Sequence, residues 1–281
     1  MTLFEIHRGD APLIIDVPHA GTFLPPEIAV RLTPVARTVP DTDWHVEKLY
    51  SFARAVGATL LAATHSRFVV DLNRDPSGVA LYAGADNTEL CPTRTFDNEP
   101  IYAEGGAPDA AAITLRRGVY FDPYHAVLAA EIERVRARHG YAVLLDGHSI
   151  RAVVPRFFAG RLPDFNLGTA QGASCAPALQ AIAADVLAQA TGFTHVVNGR
   201  FTGGYVTRRH GQPSRGVHAL QLEMAQSAYM DEAPPYRWDP AVAARLRQVL
   251  MRLADALLAW HPGYVLRGPR LHSRHREPRN S

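Results

Sequence analysis

Short apolar runs alternate along this chain with stretches of helical spacing. Leu13 to Val17, within PLIIDVPHAGT, is compact, apolar and flanked by prolines, as a buried strand is. From Trp44 to Val56, apolar residues recur at helical spacing (Val46, Leu49, Tyr50, Ala53, Val56), with Gly57 as a stop. ATLLAA and RFVVDL predict two more strands close together. From Asn73 to Gly118 the chain is rich in Pro, Gly, Asn and Asp, which predicts a long functional loop region. A helix is expected over Pro123 to His139, with Asp122 as cap and Gly140 as stop. AVLLD is the next strand, and Ala176 to Thr191 an alanine-rich helix. THVV and VHALQLEM are further strands, and Asp239-Pro240 opens a last helix reaching about Trp260. Strands alternating with helices predict a single-domain, three-layer α/β sandwich around a mixed, mostly parallel sheet.

Sheets of this kind carry their sites at the carboxyl ends of strands. Those ends hold His19, then Asn73 and Arg74, then Asp146 and His148, then Glu223. Two histidines and a carboxylate suit a divalent metal, zinc first, which acidifies a water for attack on a carbonyl. Glu223 follows the apolar run ALQL, and a charge at that depth needs a partner or a purpose. A nearby glutamate can take the proton of the attacking water. Asp41 and Asp43, in PDTDWH, are candidate carboxylates, although helix capping accounts for either one without function. Arg74 suits carboxylate recognition by its fork, or an ordinary pairing with Asp71 or Asp75. TGGYVTRRHG, with Tyr205, Arg208 and Arg209, reads as a mobile loop over an anionic ligand or as a glycine-rich hairpin with a basic face. His45, His65, His125 and His210 have no spacing argument and read as structural. Ser149 lies outside any nucleophile-elbow pattern, which disfavours a serine hydrolase.

Composition narrows the alternatives. The chain has 281 residues, 47% of them hydrophobic, enough for one large domain. The formal net charge is only +2, and the tail 266–281 alone holds five arginines against one glutamate. The body is thus slightly acidic, and nucleic-acid binding could rest only on that tail, which reads as a solvated end. The two cysteines, Cys91 and Cys175, lack metal-ligand spacing and favour a reducing compartment. With no signal-peptide pattern and no apolar run near membrane length, a soluble cytoplasmic protein is expected.

Taken together and in this order, IIDVPHAGTFLP, DTDWHVEKLY, RFVVDLNRDPSG, LLDGHS, TGGYVTRRHG and LQLEM resemble the N-formylglutamate amidohydrolase family over most of residues 10 to 260. That family belongs with the zinc carboxypeptidase-like hydrolases, which include aspartoacylase and succinylglutamate desuccinylase. The resemblance implies a phosphorylase/hydrolase-like fold and a catalytic domain over 1–265; the basic tail over 266–281 lies outside it and is expected, from its composition, to be disordered. It also implies one divalent metal ion, zinc, and hydrolysis of N-formyl-L-glutamate to formate and L-glutamate in histidine degradation. His19 and His148 match the two histidine ligands. The relatives' glutamate ligand, three residues after the first histidine, corresponds here to Thr22, and an aspartate of DTDW, Asp43 rather than Asp41, takes its place. Glu223 matches the general base, and Arg67 the arginine that polarises the scissile carbonyl. Asn73 and Arg74 match a pair that holds a substrate carboxylate, and Tyr205, Arg208 and Arg209 are expected to close over the substrate. The same chemistry on another N-acyl amino acid is the alternative to deformylation. The expected partner is a small molecule, with no nucleic acid and no membrane.

Overall fold

The computed structural model describes residues 1–263 apart from 82, 83 and 85. The tail 266–281 lies outside the described residues. Seven strands form one sheet: β1 (Phe4–His7), β2 (Leu13–Val17), β3 (Thr59–Ala63), β4 (Ala142–Ile150), β5 (Phe165–Gly168), β6 (His195–Val197) and β7 (Val217–Ala225). Their spatial order is β1-β3-β2-β4-β7-β5-β6. The β3-β2-β4-β7 core is parallel, as is β5-β6, while β1 and β5 join their neighbours antiparallel. The helices among the described residues are α1 (Pro26–Ala29), α2 (Val46–Leu49), α3 (Ala110–Arg116), α4 (Asp122–His139), α5 (Pro177–Ala188), α6 (Tyr205–His210) and α7 (Pro240–Ala259). None is long and apolar enough to cross a membrane.

The pleat of β2 shows why this is a three-layer sandwich. Leu13, Ile15 and Val17 face one core, shared with Leu179 and Ala183 of α5 and Leu246, Leu250 and Leu253 of α7. Ile14 faces the other, with Leu128, Ile132 and Val135 of α4. Both faces are covered, so β2, β4 and β7 are buried along their whole length, as parallel strands are. At the start of α7, the Asp239 carboxylate accepts from Ala241 N and Val242 N, as the Asp-Pro opening predicts. At the end of α4, Gly140 adopts a left-handed φ of 80° and closes the helix.

Several expectations are corrected. The helix expected over Trp44 to Val56 is two short turns, α2 and a 3₁₀ turn over Ser51–Arg54. His45 sits at a positive φ of 63°, so helix cannot extend back through it, and Tyr50 breaks the path between the turns. RFVVDL is not a strand. Its apolar residues are buried by loop packing: Phe68 and Val69 lie with Leu32, Ile101 and Tyr102, and Val70 and Leu72 under the sheet. Asp122 does not cap α4, which continues from a π turn over Arg117–Phe121. The region from Asn73 to Gly118 contains α3, and TGGYVTRRHG, read as a loop or hairpin, contains α6.

Candidate active site

Pro18 ends β2, and His19 turns in just beyond its carboxyl end. His148 lies within β4, and Glu223 stands directly across from it in β7. Asp43 comes from the loop before α2, pinned by its own backbone N–H to the His19 carbonyl at 3.1 Å. Its side chain does not cap a helix. Oδ2 accepts the Ser149 N–H at 3.0 Å and lies 3.1 Å from His148 Nδ1 and 3.8 Å from His19 Nδ1. Both imidazoles therefore turn Nδ1 toward one carboxylate. Each Nε2 faces another: His19 to Asp71 and His148 to Asp146, both at 2.8 Å. All five side chains are buried.

This donor set fits a tetrahedral divalent cation. Metal bonds of about 2.0–2.2 Å place two donors roughly 3.4 Å apart, and here the two histidines stand 3.1 and 3.8 Å from the shared aspartate oxygen. Ligand atoms of His19, Asp43 and His148 all fall within 4.8 Å of one another. The outer carboxylates on both histidines are the partners that fix the tautomer of a metal-bound imidazole. Asp41 points elsewhere: its Oδ2 accepts the Phe96 N–H at 2.9 Å, and it anchors a loop.

Arg67 covers this group. Its Nη2 lies 2.9 Å from His19 Nδ1 and 3.1 Å from Asp71 Oδ2, and its Nη1 3.5 Å from Asp43 Oδ1. Burial disfavours its charge, but Asp71, Asp43 and Asp41 outweigh it and hold its pKa up. Burial, with Arg67 adding to it, pushes His19 down to about 4, so its imidazole is neutral and able to coordinate. Burial would raise Asp43, but the His148 bond and the charges of His19 and Arg67 bring it down, leaving an anionic oxygen at the centre. Glu223 goes the other way: burial, reinforced by Asp43 and Asp146, lifts it to about 8. A carboxyl poised near neutrality can both accept and return a proton.

These groups open into a cavity whose wall also includes Asn73 and Arg74. The Asn73 amide is committed to the protein. Its Oδ1 accepts the Val206 N–H and its Nδ2 lies 2.8 Å from His148 Nε2. Arg74 is fixed by Nε to Thr88 Oγ1 and by Nη1 to the Asn73 carbonyl. Tyr205, Arg208 and Arg209 do not join this wall; they border a separate surface hollow with Asp75. Arg208 bonds back to Gly203 O and Thr202 Oγ1, and Tyr205 packs on Phe121 and His125. Sequence reasoning passed over Gln221, Phe96 and Arg200, all on the cavity wall, and treated Asp71 only as an arginine's partner. Period-two spacing from Glu223 was a signal for Gln221; the other two sit on loops, where spacing carries none.

A family model for N-formylglutamate amidohydrolase matches residues 11–230. The chain belongs to the N-formylglutamate amidohydrolase family. It is accordingly an enzyme of the amidohydrolase class. N-formylglutamate deformylase of Pseudomonas aeruginosa is 50% identical over 258 residues, 92% of this chain and 97% of its own. That of Pseudomonas putida is 47% identical over 258 residues, 92% and 96% of the two chains. Among solved structures, N-formylglutamate amidohydrolase from Ralstonia eutropha JMP134 superposes with a TM-score of 0.76 at 28% identity, covering 91% of this chain and 97% of its own. His19, Asp43, His148 and Glu223 all lie within the span matched by the family model.

Proposed function

We propose that this amidohydrolase is an N-formylglutamate deformylase, releasing formate and L-glutamate from N-formyl-L-glutamate, with its place in histidine degradation. The observation that carries the reading is the buried His19–Asp43–His148 group with Glu223 level with His148 on the neighbouring strand. His19, Asp43 and His148 would hold one zinc ion. When bound, zinc there supplies Lewis acidity, polarising the scissile carbonyl and acidifying the attacking water. Glu223 removes a proton from that water as its oxygen adds to the formyl carbon. Arg67 donates N–H bonds to the oxygen that gains charge in the tetrahedral intermediate. Glu223 then returns the proton to the amide nitrogen, the carbon–nitrogen bond breaks, and formate and the amine separate. Asp71 and Asp146 hold the two imidazoles in orientation throughout. Arg74, beside the triad through Asn73, binds a substrate carboxylate. Reaction in the cytoplasm fits a chain whose described helices include no membrane span.

The test is formate release from N-formyl-L-glutamate by purified protein, before and after chelation and after zinc is returned. Activity that disappears with the chelator and recovers with zinc is expected. Formate absent under every divalent metal tried would overturn the assignment.

A further inference from the structure

Glu223 is buried, and among the described residues its carboxyl has a single hydrogen-bond partner, the amide of Gln221. We propose that Gln221 is a positioning residue for the reaction, holding one oxygen of Glu223 so that the other meets the attacking water. The proposal rests on the reading of Glu223 as the base of the deformylase mechanism above.

Strand pairing sets the arrangement. Leu220 and Leu222 of β7 enter the core shared with α5 and α7, so Gln221 and Glu223 lie on the opposite face of the sheet. Gln221 is level with Asp146 of β4, and Glu223 with His148. On β4, Asp146 reaches forward to His148 Nε2 at 2.8 Å. On β7, Gln221 Nε2 reaches forward to Glu223 Oε2 at 3.4 Å. Each strand thus supports its functional side chain from the preceding position on the same face. At 3.4 Å the Gln221 bond is long, as catalytic hydrogen bonds often are before substrate binds.

The far end of Gln221 fixes which way its amide points. The Gly204 N–H, which can only donate, meets Oε1 at 2.6 Å. Nε2 is therefore the end turned to Glu223, and it donates. This anchor is main chain rather than a mobile side chain. Gly168 stands opposite Gln221 on β5, and a Cβ there would lie 2.7 Å from Gly203 N, so the segment leading into Gly204 rests directly against the sheet. Glu223 also lines the cavity. With Oε2 held, Oε1 is the oxygen left to take the proton of the water and return it to the amide nitrogen. The Nε2–H bond becomes charge-assisted once Glu223 is ionised. An amide serves both ends of this bridge. A glutamate would set a second carboxyl against Glu223, and an apolar side chain would leave the Gly204 N–H and the Glu223 oxygen unpaired.

The test is a double-mutant cycle on the zinc-loaded enzyme with N-formyl-L-glutamate, placing Gln221→Met in the wild type and in Glu223→Gln. In the wild type, loss of a charge-assisted bond should lower kcat by about 10–100-fold, with KM within about threefold and zinc content unchanged. In Glu223→Gln, where no base remains to be positioned, the same substitution should cost less than about twofold more. A residue that merely supports the fold would cost the same factor in both backgrounds. Gln221→Asn, one methylene shorter and unable to span both partners, reads the same coupling should the methionine variant fail to fold. Equal losses in the two backgrounds would overturn the proposal, as would an unchanged kcat in Gln221→Met or loss of zinc from it. A wild type that releases no formate would overturn the deformylase reading, and the positioning role with it.

Discussion

At the scale of single residues, the site gives two neighbouring carboxyl groups opposite shifts. Burial beside Asp43 and Asp146 lifts Glu223 to about 8, close enough to neutral pH for its carboxyl to exchange a proton, whereas Asp43 is held ionised by His148, His19 and Arg67. The anionic oxygen is thereby reserved for a cation and the protonatable one for proton transfer. Glu223→Gln should keep stoichiometric zinc, because it leaves the triad intact, yet lose about 10³-fold or more in turnover. Metal analysis beside formate kinetics checks this, and near-wild-type turnover would remove Glu223 as the base. Asp71→Asn acts one bond farther back, on His19 Nε2. A zinc affinity lower by about 10–100-fold is expected by competition with a chromophoric chelator; unchanged affinity would mean that Asp71 serves Arg67 alone. His19, His148 and Glu223 were legible in the sequence because each sits at the end of, or within, a recognisable apolar run. The choice of Asp43 over Asp41 rested on resemblance, since capping accounted for both. Its local reason appears only in three dimensions, where the Ser149 N–H reaches Asp43 and the Phe96 N–H reaches Asp41.

At the scale of elements, legibility followed the length of the pattern. β2 coincides with its expected bounds, and α7 with its Asp-Pro opening, because both are continuous and locally signalled. β5 spans only Phe165–Gly168 and α6 only Tyr205–His210, too short for periodicity to stand out. RFVVDL has a strand's composition but takes a turn, Val69 N–H to Ser66 O, that carries Arg67 and Asp71 to His19. Tertiary contacts override propensity there. Close packing, rather than a mobile loop or a hairpin, accounts for Gly204 before α6. A Cβ there would lie 2.3 Å from Asn73 Nδ2, while the Gly204 N–H bonds Gln221 Oε1 at 2.6 Å. Gly204→Ala should therefore displace the amide that touches His148. A loss of about 1–3 kcal/mol in urea unfolding is expected, with reduced turnover in the folded fraction. A neutral effect on both would show that Asn73 can retreat without consequence.

At the scale of the whole molecule, the histidines outside the triad link folding to pH. His125 and His210 stack nearly parallel with ring centroids 6.0 Å apart, behind the segment that carries Asn73 and Arg74. His125 Nε2 meets the Leu72 carbonyl at 2.8 Å, tying α4 to that segment. Burial holds both histidines down to about 4. The unfolded chain takes up protons near the ordinary histidine value of about 6.5, but the folded chain refuses them until far lower pH. Stability from this pair is therefore complete above about pH 6.5 and lost progressively as pH falls toward 4. Asp41, lifted to about 7 by burial, works in the opposite sense, since its protonated folded form gains stability in acid and gives it up as pH rises through 7. A wild-type profile alone would thus mix two trends of opposite sign. The difference between wild type and His125→Phe/His210→Phe isolates the histidines, because Asp41 is common to both. Between pH 7 and pH 5 the wild type should lose about 1–2 kcal/mol per histidine relative to the double variant, read by urea unfolding at each pH. Parallel pH profiles would mean that the pair titrates alike in the folded and unfolded chains, and that acid sensitivity must come from the carboxylates and His19 at the site itself.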